Sequence, residues 1–432
     1  MTAPELVQPV DPPSGARRVA DIVDVDLTDS VGFSEGVPYD AFDALLAAGG
    51  IAWHAEAPID SSVEHGGIIQ YADSPGFWAV TSHQLVDEVS RNPSRFSSGV
   101  GSTLLETVSP ETLPLLQASM INMDAPAHLR LRRILSPILT PRAVRKLFES
   151  VEMNAREIAS AAVDDELCEL VTSVSAELPL RVLADLFGMP HEDRHLLFKW
   201  SDAALATEKA TDADVVSAGL DAYVESLAYA QRMAEERRTR PLDDIVSMIA
   251  NAEVDGDRLS DSEFAMFWML LVVAGNETTR NAVSGAVISL VEHDQWSWLA
   301  AHPEHLPTAV EELLRYVSPV LHFRRTATED TVLGDQYVRA GDKVVVWFNA
   351  ANRDPAVFTE PHQLNLLREP NPHLAFGVGP HFCLGAHLAR LELTHMLAEL
   401  LDHAPNLRLA GTPTRSPSNF INGISALPVA FR

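Results

Sequence analysis

The segment FGVGPHFCLG surrounds one of the chain's two cysteines with three glycines, a proline and a histidine. A cysteine side chain that binds a metal must lose its proton, and N–H donors and a helix N-terminus favour the resulting thiolate. Gly379 and Gly385 allow the backbone to turn tightly around Cys383 and to approach a flat cofactor closely. The helix predicted directly after this loop offers free amides that could hydrogen-bond the sulfur. A buried free cysteine is the alternative interpretation, and it is the one we give to Cys168, which lacks such neighbours.

A second constellation, LLVVAGNETTR, lies in a long predicted helix. Ser260 followed by Glu263 predicts a capping box at the start of that helix. One face carries residues at helical spacing: Phe267, Leu271, Ala274 and Thr278. Gly275 costs about 1 kcal/mol relative to alanine in mid-helix, which suggests a helix locally opened against a cofactor. Oxygen activation consumes protons, and Thr278 beside Glu277 could relay them. The alternative is a buried core helix that happens to contain these residues.

The cysteine segment resembles the haem-binding loop of the cytochrome P-450 monooxygenases, whose pattern is F-x-x-G-x-[HR]-x-C-x-G. The five set positions are filled by Phe376, Gly379, His381, Cys383 and Gly385. A pattern that fixes five positions is specific. The resemblance implies a haem b cofactor bound by this loop, including Gly377, with Cys383 as the axial ligand of the iron. Thiolate ligation favours cleavage of the O–O bond.

The long helix resembles the oxygen-binding helix of the same family, [AG]-G-x-[DE]-T, from Ala274 to Thr278. It precedes the cysteine loop by about a hundred residues, as in that family. The resemblance implies that Ala274 and Gly275 lie against the cofactor. It also implies that Glu277 and Thr278 are the catalytic acid–alcohol pair.

The segment EELLRY places Glu312 and Arg315 three positions apart on a predicted helix. A surface ion pair of this spacing contributes about 0.2–0.5 kcal/mol. The segment also resembles the family's E-x-x-R, a structural pair, and lies between the oxygen-binding helix and the cysteine loop. By that resemblance Arg368 is the third partner, contributed by the irregular segment before the loop.

Cationic residues at four positions could bind the two carboxylates of haem. DAPAHLRLRR resembles the family's D-x-P-x-H-x-x-x-R, which implies that His128 and Arg132 reach the propionates. His381 adds another donor, and FRRTATED offers Arg325. Arginine suits carboxylates because its donors form a planar fork. The adjacent Arg324 is an alternative to Arg325, and solvated surface arginines are the alternative for each position.

The totals describe a chain of 432 residues with two cysteines and a net charge of −28. Such acidity argues against a nucleic-acid partner, and so few cysteines argue against a disulfide scaffold. We see neither a signal peptide nor an apolar run long enough for a membrane span. The sequence therefore predicts a soluble, cytoplasmic protein without a membrane partner.

The pattern along the chain predicts one mainly α domain with a small β portion over residues 21–432, and the resemblance implies that this domain has the haem-thiolate fold. Residues 1–20 are predicted to be a loose arm. Nearly everything from Pro141 to Ser289 is predicted to be helical, and the polar stretch from Ser97 to Pro114 a mobile loop. Short strands are expected at GFWAVTSH, LHFRRTAT, TVLGDQYVRAGDKVVVWFN and SNFINGISALPVAFR.

Six Lys and Arg residues and no acid lie between Arg130 and Lys146. This basic stretch adjoins the predicted propionate residues, so it could be a docking face for an acidic electron carrier. The 432 residues contain no fused flavin or iron–sulfur segment, and we therefore expect separate partners. The resemblance implies a ferredoxin and its reductase, with NAD(P)H as the distal source of electrons and O2 as co-substrate.

The resemblance predicts a monooxygenase acting on a hydrophobic small molecule. Its pocket candidates are Leu270, Val273, Ala274, Leu321, Phe323 and Ile421. GFWAVTSH, INMDAPAH and SNFINGI resemble the actinobacterial branch that acts on sterols, terpenoids and branched lipids. One alternative is a secondary-metabolism hydroxylase or epoxidase acting on a polyketide or on an amino acid bound to a carrier protein. A non-catalytic haem sensor or scaffold and a redox-neutral isomerase are others.

Overall fold

The computed structural model describes residues 11–57, 72–164, 166–206, 213–254 and 256–431. Most of this part of the chain is helical, as expected. The α-helices are α1 Tyr39–Ala47, α2 His83–Arg91, α3 Leu113–Gln117, α4 Ala127–Leu135, α5 Pro141–Val144, α6 Phe148–Ala162, α7 Glu177–Phe187, α8 Arg194–Ala206, α9 Ala213–Thr239, α10 Ile245–Ala250, α11 Asp261–Glu292, α12 Trp296–Ala301, α13 Leu306–Val317, α14 Phe348–Ala351 and α15 Ala386–His403.

The β portion is small and consists of short strands. They are β1 Ile51–Ala55, β2 Gly76–Val80, β3 Phe96–Ser97, β4 Leu167–Glu169, β5 Glu253–Val254, β6 Asp257–Arg258, β7 His322–Ala327, β8 Thr331–Leu333, β9 Gln336–Val338, β10 Lys343–Trp347, β11 Arg408–Leu409, β12 Thr414–Arg415, β13 Ile424–Ala426 and β14 Pro428–Ala430. The largest sheet has the order β1-β2-β10-β7-β3, and only the β2–β10 pair is parallel.

Helix α11 is the central element of the helical part. The predicted capping box is present: Glu263 N–H donates to Ser260 Oγ (3.2 Å), and Ser260 N–H donates to the Glu263 carboxylate (2.9 Å). The helix packs against α7, α8, α9, α13 and α15, so most of its residues are buried. None of the helices in the described ranges is both long and apolar enough to cross a bilayer.

The five-stranded sheet is covered on both faces because alternate residues of its strands enter two separate cores. Trp53, Trp78 and Val344 belong to one core, whereas Phe77 and Val345 belong to the other. This double burial explains why β2 and β10 are apolar throughout rather than alternating. The same alternation sends neighbouring side chains of β7 to opposite faces.

The stretch from Ser97 to Pro114, expected to be a mobile loop, is held to the sheet by hydrogen bonds. Arg324 Nη1 donates to the Glu106 carbonyl (3.1 Å), and Lys343 Nζ donates to the Leu105 carbonyl (3.2 Å). Asp124 accepts from the amides of Ser98 (2.9 Å) and Gly99 (3.2 Å). Gly and Ser residues predicted flexibility, but they also leave the backbone accessible to buried donors from β7 and β10.

Three other differences from expectation have local causes. The arm predicted over residues 1–20 is docked where it is described: Trp53 N–H donates to the Arg17 carbonyl (2.7 Å), and Val19 is buried. Residues 1–10 lie outside the described ranges. The span predicted as helical contains β4, which pairs with β14, and the β5–β6 hairpin. Strand β1, which the sequence analysis missed, pairs with β2.

Glu312 lies at the centre of a fully buried charge network. Arg315 donates twice to its carboxylate (2.8 Å each), and Arg368 Nε donates at 3.0 Å, so the predicted third partner is present. Burial opposes ionisation of Glu312, but the two guanidiniums lower its pKa below the usual range. Arg315 also donates to the carbonyls of Asn352 (2.6 Å) and Pro361 (2.9 Å), which fixes the irregular segment before the cysteine loop.

We expect Glu312→Gln to destabilise the protein by about 3–5 kcal/mol, because it leaves two buried guanidiniums without a compensating charge. Denaturant unfolding followed by circular dichroism measures this change. Arg91→Gln, which breaks the exposed pair with Asp87, is the control and should leave the midpoint unchanged. An unchanged midpoint in Glu312→Gln would show that the network contributes nothing to stability.

Candidate functional site

The cysteine loop is closed by its own backbone. Cys383 N–H donates to the Phe376 carbonyl (2.9 Å), which brings the two ends of the segment together. Gly379 has φ +79°, and a Cβ at this position would lie 2.4 Å from the Ser90 carbonyl oxygen at the end of α2. This glycine is therefore required both by its conformation and by close packing.

Cys383 lies just before α15, and the residue as a whole is exposed. Burial by the surrounding protein raises the pKa of the Cys383 thiol above its usual value. A hydrogen bond from the Gly385 amide and the charges of Arg132 and Arg390 oppose this increase. Gly385 has an ordinary φ of −81°, and a Cβ there would lie 3.9 Å from Sγ. Its contribution is therefore its amide, not the conformational freedom that the sequence suggested.

The four predicted propionate residues converge in the structure. The rings of His128 and His381 are stacked with their centroids 4.1 Å apart. Burial together with Arg325, His128 and Arg132 lowers the pKa of His381 to about 2. Burial, followed by Arg132, lowers the pKa of His128. Each of these side chains therefore disfavours a positive charge on its neighbours. The positive charges of the cluster are not balanced by negative ones.

Arg324 and Arg325 point to opposite faces of β7. Arg325 pairs in register with Val344 and Arg324 with Val345, which belong to different cores. Arg325 lies close enough to lower the pKa of both histidines. Arg324 instead donates to the Glu106 carbonyl. The geometry therefore favours Arg325 for a carboxylate of the cofactor.

Helix α11 runs without interruption past Ala274, although a local opening was expected. The Thr278 hydroxyl donates to the Ala274 carbonyl (2.8 Å), which keeps this turn helical. Ala274 is nevertheless exposed and Thr278 half-buried within a helix that is otherwise largely covered. A Cβ on Gly275 would lie 2.9 Å from Leu183, so this glycine permits close packing of α11 on α7.

Glu277 is directed away from Thr278. Arg280 Nη2 donates to its Oε1, and Asn281 Nδ2 donates to the same oxygen at 3.0 Å. Asn281 Oδ1 in turn accepts from the Ile424 amide (2.9 Å), which ties α11 to β13. Adjacent helix positions differ by about 100° around the axis. The predicted acid–alcohol pair therefore occupies two different faces of α11.

A cavity of about 450 Å³ lies on the Glu277 side of α11. Of the predicted pocket residues, Ile421 lines it. Leu270, Val273 and Phe323 are partly buried elsewhere, and Leu321 lies fully buried in the core beside Trp347. The sequence analysis missed most of the wall: Leu104, Leu105, Glu106, Val171, Thr172, Phe198, Asp202, Arg280, His322, Ser416, Pro417, Ser418, Asn419, Phe420, Gly423 and Ser425.

Glu311, the neighbour of Glu312, was also missed. Arg390 on α15 donates to it through Nε (2.6 Å) and Nη2 (2.8 Å), and His373 contacts it at 3.0 Å. Burial opposes its ionisation, but His373 and Arg390 lower its pKa to about 2. Arg390 also lies over the Phe376 ring at 4.4 Å. The two adjacent acids in EELLRY were the available signal. The carboxylate of Glu311 supports the cysteine loop through Arg390, in addition to the network around Glu312.

Glu392 on α15 is a further buried carboxyl that sequence analysis did not identify. Burial raises its pKa to about 8, and a hydrogen bond with the Thr279 side chain partly opposes that shift. The carboxyl is therefore mostly neutral near pH 7. It joins α15 to α11 without adding a buried charge.

These observations fit a haem with two propionates. Among the described residues, neither Arg132 nor Arg325 has a carboxylate within ion-pair distance, and His128 Nε2 is buried without a hydrogen-bond partner. Two anionic groups would compensate this cluster. Ala274 and Cys383 are both exposed, so neither is closed off from a cofactor by protein. The residues of this site therefore fit a haem bound beside a cysteine.

Comparisons with known proteins agree with this interpretation. The sequence profile described as Cytochrome P450 matches residues 302–410. A cytochrome P450 of Mycobacterium marinum, solved in complex with pseudoionone, shares 37% identity and a TM-score of 0.85, covering 98% of this chain and all of the other. This chain belongs to the cytochrome P450 family. It is a monooxygenase that hydroxylates a hydrophobic substrate with haem b, O2 and NAD(P)H-derived electrons delivered by redox partners.

Two sets of relatives have named activities. Steroid C26-monooxygenase of Mycobacterium tuberculosis is 39% identical over 405 residues, covering 92% of this chain and 90% of that protein. Methyl-branched lipid omega-hydroxylase of the same species is 40% identical over 368 residues, covering 82% of this chain and 84% of that protein. Both similarities extend far beyond the cysteine loop.

We expect Cys383→Ser to abolish the long-wavelength Soret band that reduced, thiolate-ligated haem gives with carbon monoxide, because serine supplies no thiolate. Absorption spectra of purified protein measure this. Cys168→Ser, a half-buried cysteine on β4, is the matched control and should retain the band. Retention of the band in Cys383→Ser would assign the ligand to another residue.

Proposed function

We propose that this enzyme hydroxylates a sterol-like or methyl-branched lipid with electrons from a ferredoxin. The observation that carries the substrate class is the similarity, over most of the chain, to the steroid and methyl-branched lipid hydroxylases. The apolar part of the cavity wall, with Leu104, Leu105, Phe198 and Ile421, is compatible with such substrates. A panel of sterols and branched lipids, screened for spin-state changes and then for hydroxylated product, tests this class. Failure of every member to give product would contradict it.

A carrier-bound substrate is a second candidate because two structural neighbours point to it. A Bacillus subtilis cytochrome P450 of the bacillaene polyketide synthase is 30% identical with a TM-score of 0.81, and a P450BioI structure solved with an acyl carrier protein is 29% identical with the same score. The stretch from Ser97 to Pro114 contains no Lys or Arg. It therefore lacks the basic rim that an acidic carrier protein would favour, and we prefer the free lipid.

The chain's own residues would position the cofactor and handle protons. Bound haem supplies the oxygen-activating chemistry, with Cys383 proposed as its thiolate ligand. Arg132 and Arg325 would bind the propionates. Thr278 presents its hydroxyl on the exposed side of α11, where it can hold and pass a proton. Glu277 stays a predicted partner of Thr278 in proton transfer, because its Oε1 already accepts hydrogen bonds from Arg280 and Asn281.

We expect Thr278→Ala to lower the yield of product per NAD(P)H and to raise hydrogen peroxide by at least about tenfold, because general acid–base groups typically contribute about 10²–10⁴-fold. Haem content and substrate affinity should stay unchanged. Product, peroxide and NAD(P)H consumption are measured together. Thr278→Ser keeps a hydroxyl at this position and should restore coupling. Normal coupling in the alanine variant would remove Thr278 from proton transfer.

The proposed ferredoxin surface is the exposed part of the basic stretch. Arg130 is paired with Glu263 (2.7 Å), and Arg132 donates to the Phe382 carbonyl (2.7 Å). We therefore do not include these two side chains in the docking surface. Four cations remain exposed: Arg133, Arg142, Arg145 and Lys146. The Arg132–Phe382 bond holds α4 beside the cysteine loop, so this surface adjoins the proposed iron ligand and would attract an acidic carrier.

We expect Arg133→Glu with Arg142→Glu to raise the KM for ferredoxin about tenfold or more and to weaken its salt dependence, since charge complementarity mainly governs association. Steady-state turnover at several ionic strengths measures both quantities. Arg408→Glu, an exposed position on β11 outside the basic stretch, is the control. Unchanged KM and salt dependence in the double variant would exclude this surface.

A further inference from the structure

We propose that Lys343, a buried lysine of strand β10, is a positioning residue that holds one wall of the cavity beside α11 while its side chain is charged. That wall consists of residues 104–106, the wall segment. Loss of the charge would loosen the wall segment, so that hydrophobic ligands enter and leave the cavity faster. The nature of these ligands rests on the proposed function, whereas the hold on the wall segment does not.

The wall segment has no regular secondary structure. Leu104, Leu105 and Glu106 line the cavity and lie between β3 and α3, outside every helix and strand of the described residues. Such a segment lacks the repeated backbone hydrogen bonds of a helix or a sheet, so individual contacts to its N–H and C=O groups fix its position. The groups that hold its carbonyls therefore determine the shape of this side of the cavity.

Two buried cations of the five-stranded sheet donate to consecutive carbonyls of the wall segment. Lys343 Nζ donates to the Leu105 carbonyl (3.2 Å), and Arg324 Nη1 donates to the Glu106 carbonyl (3.1 Å). The two side chains lie on the same face of the sheet, because Arg324 is in register with Val345, two positions after Lys343. Lys343 and Arg324 are 0% and 2% exposed, so these bonds are shielded from water.

The charge of Lys343 is compensated by a carboxylate. Its Nζ donates to Glu56, which follows β1 and whose side chain is 11% exposed. The centroid of the Phe77 ring on β2 lies 5.8 Å from Nζ. The described charged or titratable groups that act on Lys343 or on Glu56 are Glu106 in the wall segment, Arg324 on β7 and His54 on β1. Burial lowers the pKa of His54, so Lys343 and Arg324 are the positive charges beside Glu56.

Of these two cations, Lys343 is the one that titrates near neutral pH. Burial lowers the pKa of Lys343 to about 8, and the charge of Arg324 adds to this effect, whereas Glu56 opposes it. Burial lowers the pKa of Arg324 to about 10, so Arg324 stays mostly charged while Lys343 loses its proton. A neutral amine forms weaker hydrogen bonds than an ammonium group. The wall segment is therefore held more weakly as the pH rises through about 8.

The local hold and the global stability respond to pH with opposite signs. The folded protein keeps the pKa of Lys343 below its ordinary value, so the unfolded chain binds more protons above about pH 8. The contribution of Lys343 to the free energy of unfolding therefore rises with pH in this range. Over the same range its bond to the Leu105 carbonyl weakens. A role in fold stability alone would not loosen the wall segment under these conditions.

Hydrogen–deuterium exchange of the haem-loaded protein tests the hold on the wall segment. Two amides report its ends: the Thr103 amide donates to Asn122 Oδ1 (2.8 Å), and the Ala72 amide donates to the Thr107 carbonyl (2.7 Å). We expect their protection factors, corrected for the intrinsic pH dependence of exchange, to fall at least about fivefold between about pH 7 and about pH 9. Unchanged protection of both amides would overturn the proposal.

A double variant assigns this pH dependence to Lys343. Lys343→Met with Glu56→Gln removes both charges together, which avoids an uncompensated buried charge. We expect its two reporter amides to show low protection already at about pH 7, without a further decrease up to about pH 9. Arg237→Met with Asp244→Asn is the matched control, because it removes a similarly buried ion pair (2.6 Å) that does not line the cavity. The control should behave like the wild type, and a retained pH dependence in the first variant would contradict the role of Lys343.

Ligand entry is measured separately by stopped-flow absorption, with cholesterol as the sterol probe and phytol as the methyl-branched probe. We expect both the association and the dissociation rate constants to rise about fivefold or more in Lys343→Met with Glu56→Gln, because a loosened wall opens the cavity in both directions. Unchanged rate constants together with reduced amide protection would show that the wall segment does not control entry. If neither probe binds the wild type, the proposed substrate class fails, and the exchange measurement alone decides whether Lys343 holds the wall.

Discussion

The position of the Cys383 sulfur is the constraint on which the rest of the site depends. The loop that carries it is closed by the backbone hydrogen bond from Cys383 to Phe376, and it packs closely against the end of α2 at Gly379. Its other side is supported by Arg390, which lies over Phe376 and is bound by Glu311. A residue proposed to bind a cofactor must be held in a narrow range of positions, so a loop without regular structure has to be fixed by its neighbours.

Buried charge divides this protein into two kinds of region. Around Glu312 the charges compensate one another, and the network joins α13 to the irregular segment before the cysteine loop. Around His128 and His381 they do not, because four cationic or potentially cationic side chains share one space. The first arrangement is compensated within the protein, whereas the second would be stabilised by an anionic group such as a carboxylate of the proposed cofactor.

Helix α11 serves two environments because successive side chains leave it in different directions. Ala274 and Thr278, four residues apart, share the exposed strip, while Gly275 allows α7 to approach. Glu277 and Arg280 face the cavity instead. A single helix can therefore contribute side chains to two different surfaces, because neighbouring residues differ by about 100° around its axis.

The sequence by itself determined the mainly α fold and the capping box at Ser260, and it supplied the cysteine loop and the candidate residues for binding the cofactor. These features depend on local patterns or on fixed spacing, which a single chain displays directly. Only the tertiary structure placed Arg324 and Arg325 on opposite sides of the sheet, because strand alternation acts through the register of β7 with β10. It also separated Glu277 from Thr278 and revealed the cavity wall, whose residues come from distant segments. Glu311 and Glu392 became functional candidates only through partners brought close by packing, and such long-range contacts leave no periodic signal in the sequence.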